Sequence, residues 1–105
     1  MAEVVLCKDG MEVALVSNDG LWVVLREPMQ DRLLGRFQID ANELLSTVRG
    51  HVSYQATNGK GSSVRFEGTT SGLKVRLDSE EHPSKQCRLE AEEVREALIS
   101  LDIRV

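Results

Sequence analysis

The sequence predicts an α+β fold: two tandem strand-strand-strand-strand-helix units whose curved antiparallel sheets pack against two helices. Three observations carry this expectation. The stretch GLWVVLRE at 20–27 returns as GLKVRLDS at 72–79, so that Gly20, Leu21, Val23 and Leu25 fall opposite Gly72, Leu73, Val75 and Leu77 with the period-2 pattern in phase. The segment RFQIDANELLSTVRG at 36–50 matches QCRLEAEEVREALIS at 86–100, setting Ile39 against Leu89, Leu44 against Val94 and Val48 against Leu98. The two prolines, Pro28 and Pro83, both fall in the irregular stretch between these matched segments.

Taken in order, EVVLC (3–7) and MEVALVS (11–17) read as strands split by the turn pair Asp9-Gly10, and Asp19-Gly20 announces a second hairpin before the first repeated strand. A short strand at Arg36–Ile39 then feeds a helix. Asp40 is placed to cap that helix with Glu43 as reciprocal partner, and Gly50 is placed to stop it. The second unit offers HVSYQAT (51–57) and SSVRFEG (62–68) split by NGKG, then TTSG before its repeated strand. Its helix carries Val94, Leu98 and Leu101 on one stripe, with early glutamates at the positive end of the helix dipole. One domain of two repeats, about 2–50 and 51–102, is expected from 105 residues of which 41% are hydrophobic.

Strand alternation assigns faces. In the second unit Val52, Tyr54, Ala56, Val64, Phe66, Leu73, Val75, Leu77, Cys87 and Leu89 point to the core. The opposite face carries His51, Ser53, Gln55, Arg65, Glu67, Lys74, Arg76, Gln86 and Arg88. In the first unit Met11, Val13, Leu15, Leu21, Val23, Leu25, Phe37 and Ile39 point inward, yet Ala14, Val16, Trp22 and Val24 remain on the outer side. Four apolar groups on a nominally wet face imply a second cover, which another subunit, another part of the chain or a ligand would supply.

A net charge of −4 disfavours a generic polyanion binder, but the charge is uneven. Residues 1–50 hold five basic and eight acidic side chains, whereas residues 60–88 hold six basic and four acidic. Two cysteines, Cys7 and Cys87, are too few for a disulfide framework and lack a Cys-x-x-Cys spacing, which fits a reduced, cytoplasmic protein. Cys87 alternates into the core, where a free cysteine behaves as a small hydrophobe. The N-terminus lacks a basic stretch ahead of an apolar run, and no apolar run approaches the roughly 20 residues of a membrane span.

The chemistry-bearing residues assemble no catalytic or metal site. His51 and His82 stand far apart without a nucleophile–base–acid set, so no catalytic residue, metal ligand or cofactor is assigned and the protein is read as a non-enzyme. NGKG at 58–61 joins two strands and lacks the strand-to-helix context of a phosphate loop, and EAEE at 90–93 is a helix start. The basic set Arg65, Lys74, Arg76 and Arg88 forms a stripe able to track a phosphate backbone, or an ordinary charged face paired with Glu67 and Asp78. Trp22, among Val16 and Val24, is either a stacking platform for a base or a partner's anchor, or a tryptophan buried at a subunit interface or beneath a loop.

The repeated pattern GLWVVLRE…RFQIDANELL and GLKVRLDS…QCRLEAEEVREAL resembles the duplicated units of the Whirly and Pur-alpha families, in which two such units form one module that binds single-stranded nucleic acid. Read from the fourth strand onward, the element order is also similar to the repeating unit of DNA sliding-clamp domains. The resemblance implies a binding module without catalysis. Two readings follow. One is single-strand binding through Arg65, Lys74, Arg76 and Arg88 with help from Trp22. The other is a protein-interaction or oligomerisation module whose outer face at Val16, Trp22 and Val24 forms a symmetric homodimer or meets a protein partner, without nucleic acid.

Overall fold

The computed structural model describes residues 2–7, 10–28, 32–50, 52–59, 61–70, 72–79 and 83–103, with Cys7 described in its backbone alone. His51, Lys60, His82 and Asp9 of the first turn pair lie outside the described residues. The elements run β1 (Ala2–Cys7), β2 (Glu12–Ser17), β3 (Leu21–Arg26), β4 (Leu33–Ile39) and α1 (Ala41–Gly50). They repeat as β5 (Ser53–Thr57), β6 (Ser62–Thr69), β7 (Gly72–Ser79), β8 (Lys85–Glu90) and α2 (Ala91–Ser100). Each unit folds as an antiparallel meander, β1-β2-β3-β4 in one sheet and β5-β6-β7-β8 in the other.

The repeat extends to strand register. Leu21 pairs with Ile39 as Leu73 pairs with Leu89, and Val23 with Phe37 as Val75 with Cys87. On the other side of the same strands, Val13 faces Leu25 as Val64 faces Leu77. Register is this well defined because one face of each strand is buried, and a one-residue slip would turn every apolar side chain outward. The inward residues of both sheets and the stripes of both helices form one core cluster, in which Phe37, Phe66, Val23, Val75, Leu44 and Leu98 are almost wholly buried. Tyr54, half-buried, stacks on Phe66 with ring centroids 5.9 Å apart.

Both helices depart in detail from expectation. Asp40 caps α1, its Oδ1 accepting from the backbone N–H groups of Asn42 (2.8 Å) and Glu43 (3.1 Å). The backbone N–H of Asp40 donates to the hydroxyl of Tyr54 at 3.3 Å, the partner the Glu43 side chain was expected to be. Gly50 is the last residue of α1 itself and adopts no left-handed conformation. α2 buries Val94, Leu98 and Leu101 as expected and closes on Asp102 at φ 57°, with Asp102 N–H donating to Ile99 O and Ile103 N–H to Leu98 O, both 3.0 Å. These two bonds satisfy carbonyls that the helix end leaves open.

The placement of the helices breaks the repeat. α1 lies on β5, β6 and β7, the sheet of the other unit, whereas α2 runs along the seam where β1 of the first sheet meets β8 of the second. The opposite edges, β4 and β5, meet at a second seam. Three expectations need correction. Val52 precedes β5 and is 54% exposed, because pairing of that strand begins at Ser53. The β2–β3 connection has three residues, since Ser17 pairs with Leu21 and both Asp19 and Gly20 take positive φ. Cys87 is buried as expected but is disulfide-bonded, where a free thiol was anticipated. Among the described residues, no helix is long and apolar enough to cross a membrane.

Candidate functional site

The outer face of the second sheet gathers the four predicted cations. Register places Ser53, Glu67, Lys74 and Arg88 in one row across β5–β8, and Gln55, Arg65, Arg76 and Gln86 in the next. Arg65 therefore stands directly opposite Arg76, and Lys74 directly opposite Arg88. Arg65, Arg76 and Arg88 are exposed and Lys74 is half-buried. Directly opposed like charges on a sheet destabilise it by a few tenths to about 1 kcal/mol. Two such pairs on adjacent rows make a concentrated positive field.

Glu67, opposite Lys74 in register, and Asp78 offset part of that field. Arg76 Nε lies 3.1 Å from Asp78 Oδ1, an oxygen that also accepts from Ser84 Oγ at 3.0 Å. Both side chains of that pair are open to solvent, where an ion pair contributes little. Among the described residues, no carboxylate lies within 4.0 Å of Arg65, Lys74 or Arg88, although Glu67 stands opposite Lys74 in register. Of the two expected acidic partners, Asp78 pairs and Glu67 does not.

The outer face of the first sheet is arranged differently. Ala14, Val16 and Val24 come together as predicted, but they are at most 6% exposed within a single chain, with Trp22 packed against them. Their cover is built from the chain's own long side chains, whose stems lie over apolar surface while their heads stay wet. Arg36, opposite Val24, holds its guanidinium 4.3 Å from the centre of the Trp22 ring. Trp22 Nε1 donates to the carbonyl of Asn18 at 2.9 Å, which anchors the indole edge to the β2–β3 loop. Arg26 spans three strands by reaching Glu3 on β1 (2.8 Å) and Glu12 on β2 (3.1 Å). Its hydrogen bond to Glu3, then that to Glu12, holds its pKa above the usual arginine value. The second cover demanded by the sequence is therefore another part of this chain.

A groove of about 700 Å³ opens where the two outer faces adjoin at the β4–β5 seam. Trp22, Arg36 and Gln38 line it from the first sheet, and Thr57, Asn58 and Ser62 from the hairpin of the second. Arg36 and Gln38 are site residues that the sequence did not single out. Both alternate outward on β4, but only the meeting of the two sheets gives them a shared cavity.

The chain matches no protein-family model, no curated protein and no solved structure.

Proposed function

We propose that the protein is a non-catalytic module that binds single-stranded nucleic acid through the outer face of β5–β8. The observation that supports this is the double like-charge pairing, Arg65 against Arg76 and Lys74 against Arg88, on an exposed sheet face. A sheet that keeps such pairs forgoes stability, and an anionic ligand with regularly spaced phosphates restores it. Adjacent strands stand about 4.8 Å apart, so the four cations present a stripe rather than a point. The two amides in the second row, Gln55 and Gln86, extend that stripe with uncharged donors.

Salt dependence tests the proposal. Affinity for an oligonucleotide should fall with a log–log slope of roughly −0.7 per phosphate contact, and changing Lys74 and Arg76 together to Ala should flatten it by about 1–1.5. Asp78→Asn should strengthen binding, because it frees the Arg76 guanidinium from the Asp78 carboxylate. Absence of binding to oligo-dT and to mixed-sequence strands at low salt would sink the proposal.

A second reading, a symmetric homodimer or protein contact through the first sheet, has one observation in its favour. Val5 and Leu33, 43% and 57% exposed, flank the buried strip of Ala14, Val16 and Val24. The strip itself offers a partner little further area, which leaves Trp22 and this rim to make the contact. Light scattering that returns the 11.7 kDa chain mass at high concentration rejects the dimer, and Leu33→Asp lowering the mass of an observed dimer supports it. Both readings are compatible with a cytoplasmic protein, a location that the bonded state of Cys87 does not favour.

A further inference from the structure

We infer that the groove at the β4–β5 seam is a nucleobase subsite, in which one base of a bound single strand stacks on the open face of the Arg36 guanidinium and its edge meets Gln38 and Asn58. The inference rests on the single-strand reading above and extends it to a second surface. Four features of the groove carry it.

The first is the existing stack. Arg36 is exposed, its guanidinium carbon lies 4.3 Å from the centre of the Trp22 ring, and both side chains line the groove. A planar guanidinium stacks bases as aromatic rings do, and contact with Trp22 restrains this one before a base arrives. Charge is the second feature. Arg36 is the one charged side chain in the described lining, and among the described residues no carboxylate lies within 4.0 Å of it. The groove therefore favours an anion-bearing ligand, and its described lining holds no acidic side chain.

The third feature is the wall chemistry. The amides of Gln38 and Asn58 and the hydroxyls of Thr57 and Ser62 supply both donors and acceptors, which suits the mixed edge of a base and exceeds what a bare phosphate needs. The fourth is continuity with the basic face. Thr57 is the outward residue two places along β5 from Gln55, and Gln55 stands directly opposite Arg65. At about 3.3 Å per residue and 4.8 Å per strand, the groove wall opens within about 10 Å of the first cation of the basic stripe. One strand can thus lie along Arg65 and Arg76 and turn a base into the groove.

The test uses labelled oligo-dT of about 12 nucleotides, within the range such modules cover, with strand anisotropy for affinity and tryptophan emission for the groove. Trp22 is the chain's one tryptophan, so its emission reports on this site alone. Saturation with strand should quench Trp22. Arg36→Ala should weaken binding about tenfold, the loss of one stacked base, and Arg36→Lys should weaken it similarly while keeping the salt slope, since charge survives and the plane does not. A strand of the same length lacking bases should bind wild type and Arg36→Lys equally. The Lys74/Arg76 double Ala variant should still quench at saturation, only at higher strand concentration. Strand binding with unchanged Trp22 emission and no effect of Arg36→Lys overturns the groove and leaves the basic face intact. No strand binding overturns both.

Discussion

Gly72 opens β7 where the backbone of the following strand comes closest. A Cβ at that position would meet the carbonyl oxygen of Leu89 and lie 3.0 Å from the amide nitrogen of Ala91, so the obstacle is backbone at the β8–α2 junction. Its repeat partner Gly20, at φ +118°, would meet the Nε2 end of Gln38 at 2.9 Å, the tip of a flexible side chain. Gly72→Ala is expected to lower the unfolding free energy by about 1–3 kcal/mol through this overpacking. Urea midpoints check it, and an unchanged midpoint would show that the junction can move aside. Both glycines were legible as turn residues in the repeat, but their crowding was not, because Leu89 and Gln38 arrive from other strands. The same limit explains Arg26 and Arg36. Neither was singled out from the sequence, because the side chains that each lies over or pairs with come from neighbours up to 23 residues away.

Among elements, the strands were the most legible and the ends of helices the least. A buried face forces period-2 alternation, so the inward residues of β2, β3, β6 and β7 follow from the order of apolar and polar residues along the chain. Boundaries moved where no burial marks them, as at Val52 before β5 and at Leu33, where β4 begins ahead of Arg36. The cap of α1 was half legible. Asp40 accepts two backbone bonds, but its own N–H is met by Tyr54 from β5 rather than by Glu43. Asp40→Ala should therefore cost about 1 kcal/mol, measured as a shift in the denaturation midpoint. α2 offers the opposite case. Asp102 holds φ 57° in a position where glycine carries no steric penalty, so Asp102→Gly should raise stability by about 0.5–1 kcal/mol. A lower melting temperature for that variant would mean that the Asp102 side chain contributes more than its backbone costs.

At the scale of the molecule, the two-unit architecture could be read from one recurring stretch, whereas the groove could not. Trp22, Arg36 and Gln38 meet Thr57, Asn58 and Ser62 only because β4 and β5 are the adjoining edges of separate sheets. Two cysteines in 105 residues likewise gave no reason to expect that Cys87 would be bonded in the core. A reductant is expected to remove about 2–4 kcal/mol of stability, the usual contribution of such a link. Matched urea titrations with and without reductant measure it, and coincident curves would contradict it.

The crossing of α1 onto β5, β6 and β7 makes residue 50 a poor place to divide the chain, although the repeat marks it as the natural boundary. A fragment ending there takes Leu44, Leu45 and Val48 away from the sheet that covers them and leaves the second fragment with an open apolar floor around Phe66. Fragments 1–50 and 51–105 should each be largely unfolded by circular dichroism. Mixed in equal amounts, they should regain ordered signal beyond the sum of the parts. Each half is then the template on which the other finishes folding.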